Sequence, residues 1–448
     1  MALRSVIQSL LYSPILSPIL YMMPAPTEPE PEVLDADITI ILKSGQSDSL
    51  GQDSLPMPAR TATNFAQMLD TNKPPVYSGS FGSTFTQAVS NEYIFGTTNH
   101  QGDTFALSIA DNLEAFIEAI DGVTQAEHGK QVIVIDIGLS SADVSGFNHG
   151  TAHFTKFEDW CDAAVIAAAA AGKTIKVKAL IWAWGAYAYA NNVGYTTAYN
   201  SINGYCGPGG DIDTYILPKF GQTGETIHVG IMSTHHHYQA TVPTDPFVAR
   251  AEVALVAAYP DRYSIIQGKG IHHLNGLNRG WAGSSTHHHP DEEEIMGAHA
   301  AWWLHTKLVY GGSGTWFNAI PTITKTGARQ FTLTLPDFPA DAYIGFKSSG
   351  LFPTIAQPMH GWWVCDQSTP TVSVPLVRPP YAGNTAGTII IDTTADIPTN
   401  WEVRFGCTAS SYLAGNTVIR FNTPYTAPVR GVDTPLFRAM PALRLQGS

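Results

Sequence analysis

Ile38-Thr39-Ile40-Ile41-Leu42, followed by Gly45-Gln46-Ser47-Asp48-Ser49-Leu50-Gly51, is the stretch on which the reading of this chain turns. A fully apolar run of this length reads as a strand buried on both faces, the mark of a parallel sheet. The glycine behind it lets the backbone turn sharply and present the next side chain, Ser47, at the carboxyl end of the sheet. Ligands and chemistry gather at that edge in open α/β sheets. A plainer reading has a serine that only caps a following helix over 54–69.

Further along, strands and helices alternate. Apolar residues recur at helical spacing in Leu107, Ile109, Leu113, Phe116, Ile117 and Ile120, which predicts a helix over 107–120. Val132-Ile133-Val134-Ile135-Asp136-Ile137 is a second buried strand. Thr155-Lys156-Phe157-Glu158 has the form of a capping box opening an alanine-rich helix that stops at Gly172. Strands are expected over 175–182, 227–232 and 263–266, and helices over 248–258 and 292–310. Such alternation implies right-handed crossovers and a mostly parallel sheet covered on both faces.

Composition narrows the class. The chain has 448 residues, enough for two domains, and its 44% apolar content is that of a globular protein. A formal charge of −13 opposes binding to a nucleic-acid backbone, which needs clustered Lys and Arg. Cys161, Cys206, Cys365 and Cys407 are far apart with no CxxC spacing, so free thiols are expected, though Cys365 and Cys407 fall in one predicted domain and are near enough in sequence to pair. Beyond residue 23 no run approaches the roughly 18 apolar residues of a membrane span.

Residues 1–23 superficially resemble a secretory signal, with one arginine ahead of an apolar stretch. Pro14 and Pro18 oppose a helical core for such a signal. The segment reads instead as an apolar assembly arm that docks on a partner or a symmetry mate, or else folds back on its own domain. A stiff Pro/Glu linker follows it to residue 33.

The serine segment resembles the first block of the SGNH (GDSL-type) hydrolases, closest to the GQSNS form of sialate O-acetylesterase-like carbohydrate esterases and related phage tail proteins. Asp48 stands where the family has asparagine. The resemblance implies a three-layer α/β/α domain with a mostly parallel sheet, and Ser47 as nucleophile. It extends to a second block, Asp136-Ile137-Gly138-Leu139-Ser140-Ser141, in which Gly138 matches the glycine whose amide helps bind the oxyanion along with that of Ser47. A third block, W-x-QGESD in these esterases, corresponds to Trp182-Ala183-Trp184-Gly185-Ala186-Tyr187-Ala188. There the strand, Trp182 and Gly185 match, and the Gln, Glu, Ser and Asp positions have become Trp, Ala, Tyr and Ala. The last block, D-x-x-H, falls on His287, with Pro290 and Gly297 at the family spacings behind it and Ser284 in the acid position. His289, followed at once by Pro290, is the alternative base, with Thr286 in the acid position.

Histidines also cluster as His235-His236-His237, His272-His273 and His287-His288-His289, each after a predicted strand of the same sheet. Adjacent histidines point in different directions and no HExxH spacing occurs, so no metal and no cofactor are expected. Asp291-Glu292-Glu293-Glu294 reads as a helix N-terminus complementing the macrodipole.

After Gly311-Gly312-Ser313-Gly314 the pattern becomes two-residue alternation, as in 330–335, 371–376 and 388–392, punctuated by Pro and Gly. This predicts a smaller β-sandwich domain, with a tail rich in proline near Pro424 strapping back onto the core. Trp362 and Trp363 could stack on sugars, but such a pair is more simply half core. The expected organisation is an arm and linker over 1–33, an esterase-like domain over 34–312 and the β module over 313–448. The function implied by the resemblance is a virion component, a phage tail or surface protein and likewise a homo-oligomer, meeting acetylated host-cell glycans. Whether it removes O-acetyl groups as a serine esterase, or binds glycans on a decayed esterase scaffold, the sequence leaves open.

Overall fold

The run at Ile38 forms strand β1 (Ile38–Gly45), buried along its whole length. In the computed structural model the described residues are 34–45, 65–69, 81–87, 105–139, 142–185, 188, 193–233, 245–268, 290–309, 321–335, 344–346, 362–378, 380–405, 419–429, 432–439 and 443–447. After β1 come the short antiparallel pair β2 (Gln67–Leu69) and β3 (Phe85–Gln87), helix α1 (Ala106–Phe116), β4 (Gln131–Asp136), α2 (Ala152–Ala170), β5 (Ile175–Ala183), α3 (Tyr195–Cys206), β6 (His228–Ser233), α4 (Phe247–Ala258), β7 (Tyr263–Gly268) and α5 (Pro290–Leu304). The main sheet has five strands in the order β4-β1-β5-β6-β7, every pair parallel. The molecule is therefore an α/β protein, and β1 occupies the position where the strand order reverses.

Strand pleating sends alternate residues of β1 to opposite faces. Ile38, Ile40 and Leu42 join a core built with Phe157 and Trp160 of α2, Ile202 of α3 and Leu255 of α4. Ile41 joins the other core, with Leu113 of α1 and Met296 and Trp303 of α5. The two helices of this second layer cross closely at Gly297, where the Ser108 hydroxyl donates to the Glu294 carbonyl at 2.7 Å.

The C-terminal part is antiparallel. Its strands are β8 (Thr322–Gly327), β9 (Gln330–Thr334), β10 (Ile344–Phe346), β11 (Trp362–Asp366), β12 (Tyr381–Ala382), β13 (Thr388–Asp392), β14 (Trp401–Phe405), β15 (Ile419–Val429), β16 (Val432–Ala439) and β17 (Leu443–Gln446). Sheets β12-β13-β9-β8 and β11-β14-β17 share one core of Phe331, Leu333, Ile389, Ile391, Trp362 and Val403, which makes a sandwich. Trp362 is buried in it and the half-buried Trp363 donates its indole N–H to the Pro370 carbonyl, so the pair is core rather than a sugar platform. The segment around Pro424, expected as a tail strapping back onto the core, is regular β structure. It is part of the hairpin β15–β16, which joins β10 in a third sheet and lies against α1, α5 and β7.

Several expectations change. Gln67–Leu69 is strand, not the end of a helix, and Ala66 bridges Val132, so this segment covers the free edge of β4. Helix α2 starts one turn earlier than the Thr155 capping box implied. Thr151 is its N-cap, accepting from the Phe154 amide at 3.1 Å, and Thr155 sits inside the helix. Residues 371–376 make only isolated bridges, at Ser373 and Leu376, because Pro375 has no amide to donate. Helix α3 was not anticipated at all. Cys161, Cys206 and Cys365 are buried free thiols. Cys407 and the whole of 1–33 lie outside the described residues. Among the described residues no helix is long and apolar enough to cross a membrane.

Candidate functional site

The carboxyl end of β1 is held from both sides. Gly45 pairs in register with Ala183 of β5, and its carbonyl accepts the Leu139 amide at 2.8 Å. The Ile137 amide likewise donates to the Lys43 carbonyl at 2.7 Å, so the chain after β4 stays stitched to β1 past the end of the strand. Gly138 and Gly185 thus lie on opposite flanks of Gly45. Gly185 has φ of 137°, a conformation that favours glycine. Ser47, His287 and His289 lie outside the described residues, as do all three histidine clusters.

The layer under this edge, on the α1/α5 side, holds a buried ion pair. Lys43 and Asp136 share the face of Ile41 and Val134 by pleat parity, and their side chains are fully buried and bonded to each other. The Lys43 ammonium also lies 4.1 Å from the centroid of the Phe105 ring. Burial pushes the Asp136 carboxyl above its ordinary value, against the pull of Lys43 and of a hydrogen bond from the Gly138 amide. That bond, Gly138 N–H to Asp136 Oδ1 at 3.0 Å, closes an Asx-type turn. It commits the amide that the sequence pointed to as an oxyanion donor, and donation to an oxyanion from Gly138 requires giving up Asp136.

The opposite layer is aromatic. Trp182 and Trp184 are completely buried, with Trp182 against Phe147 at 5.9 Å and Tyr205 at 5.5 Å between centroids. Trp184 donates its indole N–H to the Ala142 carbonyl at 3.0 Å and offers nothing to a ligand through that group. His153 donates Nε2–H to the Ile137 carbonyl at 2.9 Å. Burial holds its imidazole below the usual pKa and outweighs that bond, so the ring is neutral and structural in form.

At the far half of the edge, the Ser233 hydroxyl at the end of β6 donates to Glu252 Oε2 of α4 at 2.7 Å. Gln267 at the end of β7 and Glu293 in the first turn of α5 are also buried. No group of His, Cys, Asp and Glu among the described residues is arranged to hold a metal ion.

Sequence reasoning named Gly138 and Gly185 but passed over Lys43, Asp136 and His153. The signal for the first two was present, as opposite charges closing two apolar runs. Which runs are neighbours is a tertiary fact.

No protein-family model matches the chain, and no curated protein matches it. Among solved structures it is similar to a carbohydrate acetylesterase from Xanthomonas citri, with 11% identity and a TM-score of 0.47, covering 90% of this chain and 80% of that one. A protein from Arabidopsis thaliana aligns with 9% identity and a TM-score of 0.38, over 60% of this chain and 98% of that one. The protein NanS aligns with 11% identity and a TM-score of 0.35, over 61% and 98%. Likenesses at this level say nothing of chemistry.

Proposed function

We propose that this chain is a virion protein carrying an SGNH-type, carbohydrate O-acetylesterase-like domain over 34–312, with a β-sandwich module over 313–448, and that its site is organised around Ser47. The supporting observation is that β1 ends at the strand-order reversal with Gly45 gripped between the Gly138 and Gly185 segments. In the proposed reaction the Ser47 hydroxyl attacks the ester carbonyl of an O-acetyl sugar while His287 takes its proton. The oxyanion is held by the Ser47 amide and the Gly185 segment, with Gly138 contributing only when it leaves Asp136. The alcohol departs with the proton from His287, and water then hydrolyses the acetyl-enzyme by the same route.

Each missing oxyanion donor costs roughly 2.7–4 kcal/mol of barrier, a factor of 10² to 10³. Ser284 in place of an acid leaves the histidine without the carboxylate that normally fixes its tautomer. Hydrolysis is therefore slow and confined to activated acetates. The test is release of acetate from an aryl ester. Weak release by the wild type that vanishes in both Ser47→Ala and His287→Ala supports the proposal, and release that persists in Ser47→Ala refutes it.

A second reading, a glycan-binding or structural protein on the same scaffold, is favoured by the commitment of the Gly138 amide to Asp136 and of the Trp184 indole to Ala142. A wild-type rate equal to buffer selects it. In either reading residues 1–23 are the proposed contact to other virion proteins or to copies of this chain, and a surface glycan is the proposed ligand.

A further inference from the structure

We propose that Asp136, through the turn it closes with the Gly138 amide, is a positioning residue for the Ser47 site. The proposal deepens, and for its kinetic arm rests on, the hydrolase reading above.

The geometry is a chain of short links. Lys43 of β1 bonds Asp136 of β4, both fully buried. Asp136 Oδ1 takes the Gly138 amide at 3.0 Å, which bends the backbone so that the next residue, Leu139, returns its own amide to the Gly45 carbonyl at 2.8 Å. Gly45 is the last residue of β1, two before Ser47. The Asp136 acceptor therefore fixes the bend, the bend fixes Leu139, and Leu139 holds Gly45, two residues before Ser47. An ion pair buried this deeply gives little net stability over a well-packed apolar pair. A turn-forming carboxylate offers what an apolar residue cannot, an acceptor at a defined position two residues before the amide it holds.

Charge and turn can be separated by two double variants of the full chain. Lys43→Met with Asp136→Asn removes both charges and keeps an acceptor for Gly138. Lys43→Met with Asp136→Leu removes the charges and the acceptor together. The first readout is hydrogen exchange, by mass spectrometry, of the peptide spanning 137–139. The second is kcat and KM for Ser47-dependent aryl acetate hydrolysis at matched thermal stability.

The expected result is near-wild-type protection and kcat in the Asn pair. In the Leu pair the expectation is faster exchange and kcat about ten- to hundred-fold lower at unchanged KM, the scale on which small misplacements act. Equal exchange in the two pairs overturns the proposal, and so does a Leu pair that hydrolyses faster, since Asp136 would then be only a competitor for the amide. If the Leu pair does not fold, Asp136→Glu keeps a charge for Lys43 but is too long for the turn and carries the same expectation. A wild type with no Ser47-dependent hydrolysis sinks the hydrolase reading alone, and exchange over 137–139 still decides the role of Asp136.

Discussion

Replacing Gly297 by alanine sets two well-characterised effects against each other. In a helix interior the change gains about 0.8–1.0 kcal/mol of propensity. At this position, however, α5 crosses α1 at close range. A Cβ on residue 297 would lie 2.5 Å from the Ser108 hydroxyl and 2.8 Å from the Phe105 carbonyl oxygen, and nearer still to the Ser108 Cβ. None of these is the free end of a flexible side chain, so the helices must part. Overpacking of this kind costs about 1–3 kcal/mol, and loss of the bond from Ser108 to the Glu294 carbonyl adds roughly 1 kcal/mol. The net expectation is destabilisation by about 2 kcal/mol. With an unfolding entropy of about 2.1 cal/mol/K per residue over a domain of roughly 270 residues, that lowers Tm by about 3–4 °C. Thermal melting of wild type and variant, followed by tryptophan fluorescence, measures it. Combining Gly297→Ala with Ser108→Gly should recover part of the loss, since it removes two of the three obstructing atoms. A Gly297→Ala protein that melts at or above the wild type would show that the crossing has slack and that propensity wins.

Two further outcomes are expected. The buried Arg262 donates to the Cys206 and Ile227 carbonyls, at 2.9 Å each, and to Asp213 at 2.6 Å, so Arg262→Met should cost about 3–5 kcal/mol; a urea midpoint within error of wild type would show the three bonds to be replaceable. Burial acts to raise the Glu402 pKa but is outweighed by Gln446, Arg404 and Arg444, which leave it below its ordinary value; the stability it contributes is complete above the unfolded pKa near 4.5 and is lost as pH falls through the lower folded one, so the gap between wild type and Glu402→Gln should close in acid, and a gap constant with pH would refute the assignment.

The strands of the main sheet are legible because each contains a short, mostly apolar run that can be recognised without knowing its partner. Helix α3 is not. Its buried residues, Ala198, Ile202, Tyr205 and Cys206, do recur at helical spacing, but asparagine, serine and glycine between them dilute the signal. The start of α2 was misplaced because two threonines four apart both suit a cap, and only the fold decides which one is outside the helix. Of the candidate site, Gly138 and Gly185 were readable as glycines following strands. The hydrogen bond from the Gly138 amide to Asp136 was not, since the same Asp-x-Gly could equally face solvent. In the sequence Gly297 is only a spacing mark behind His287, and the closeness of α1 supplies a physical reason for a residue without a side chain there. Ser47, His287 and His289 lie outside the described residues.

The central place of β1 has a consequence for how the chain acquires its fold. β1 comes first in sequence among the strands of its sheet, yet its neighbours arrive late. Lys43 and Asp136 are 93 residues apart, and Asp37 and Thr174, which bond beside the other neighbour, are 137 apart. During synthesis and folding the run Ile38 to Leu42 therefore waits, unpaired, until residues 131–136 of β4 and 175–183 of β5 have been made, and a short β-prone apolar segment in that state is a site for association between chains. A charge at the end of such a run discourages that association. Lys43 has this office in the unfolded chain, and it gives up its water only when β4 arrives bearing Asp136.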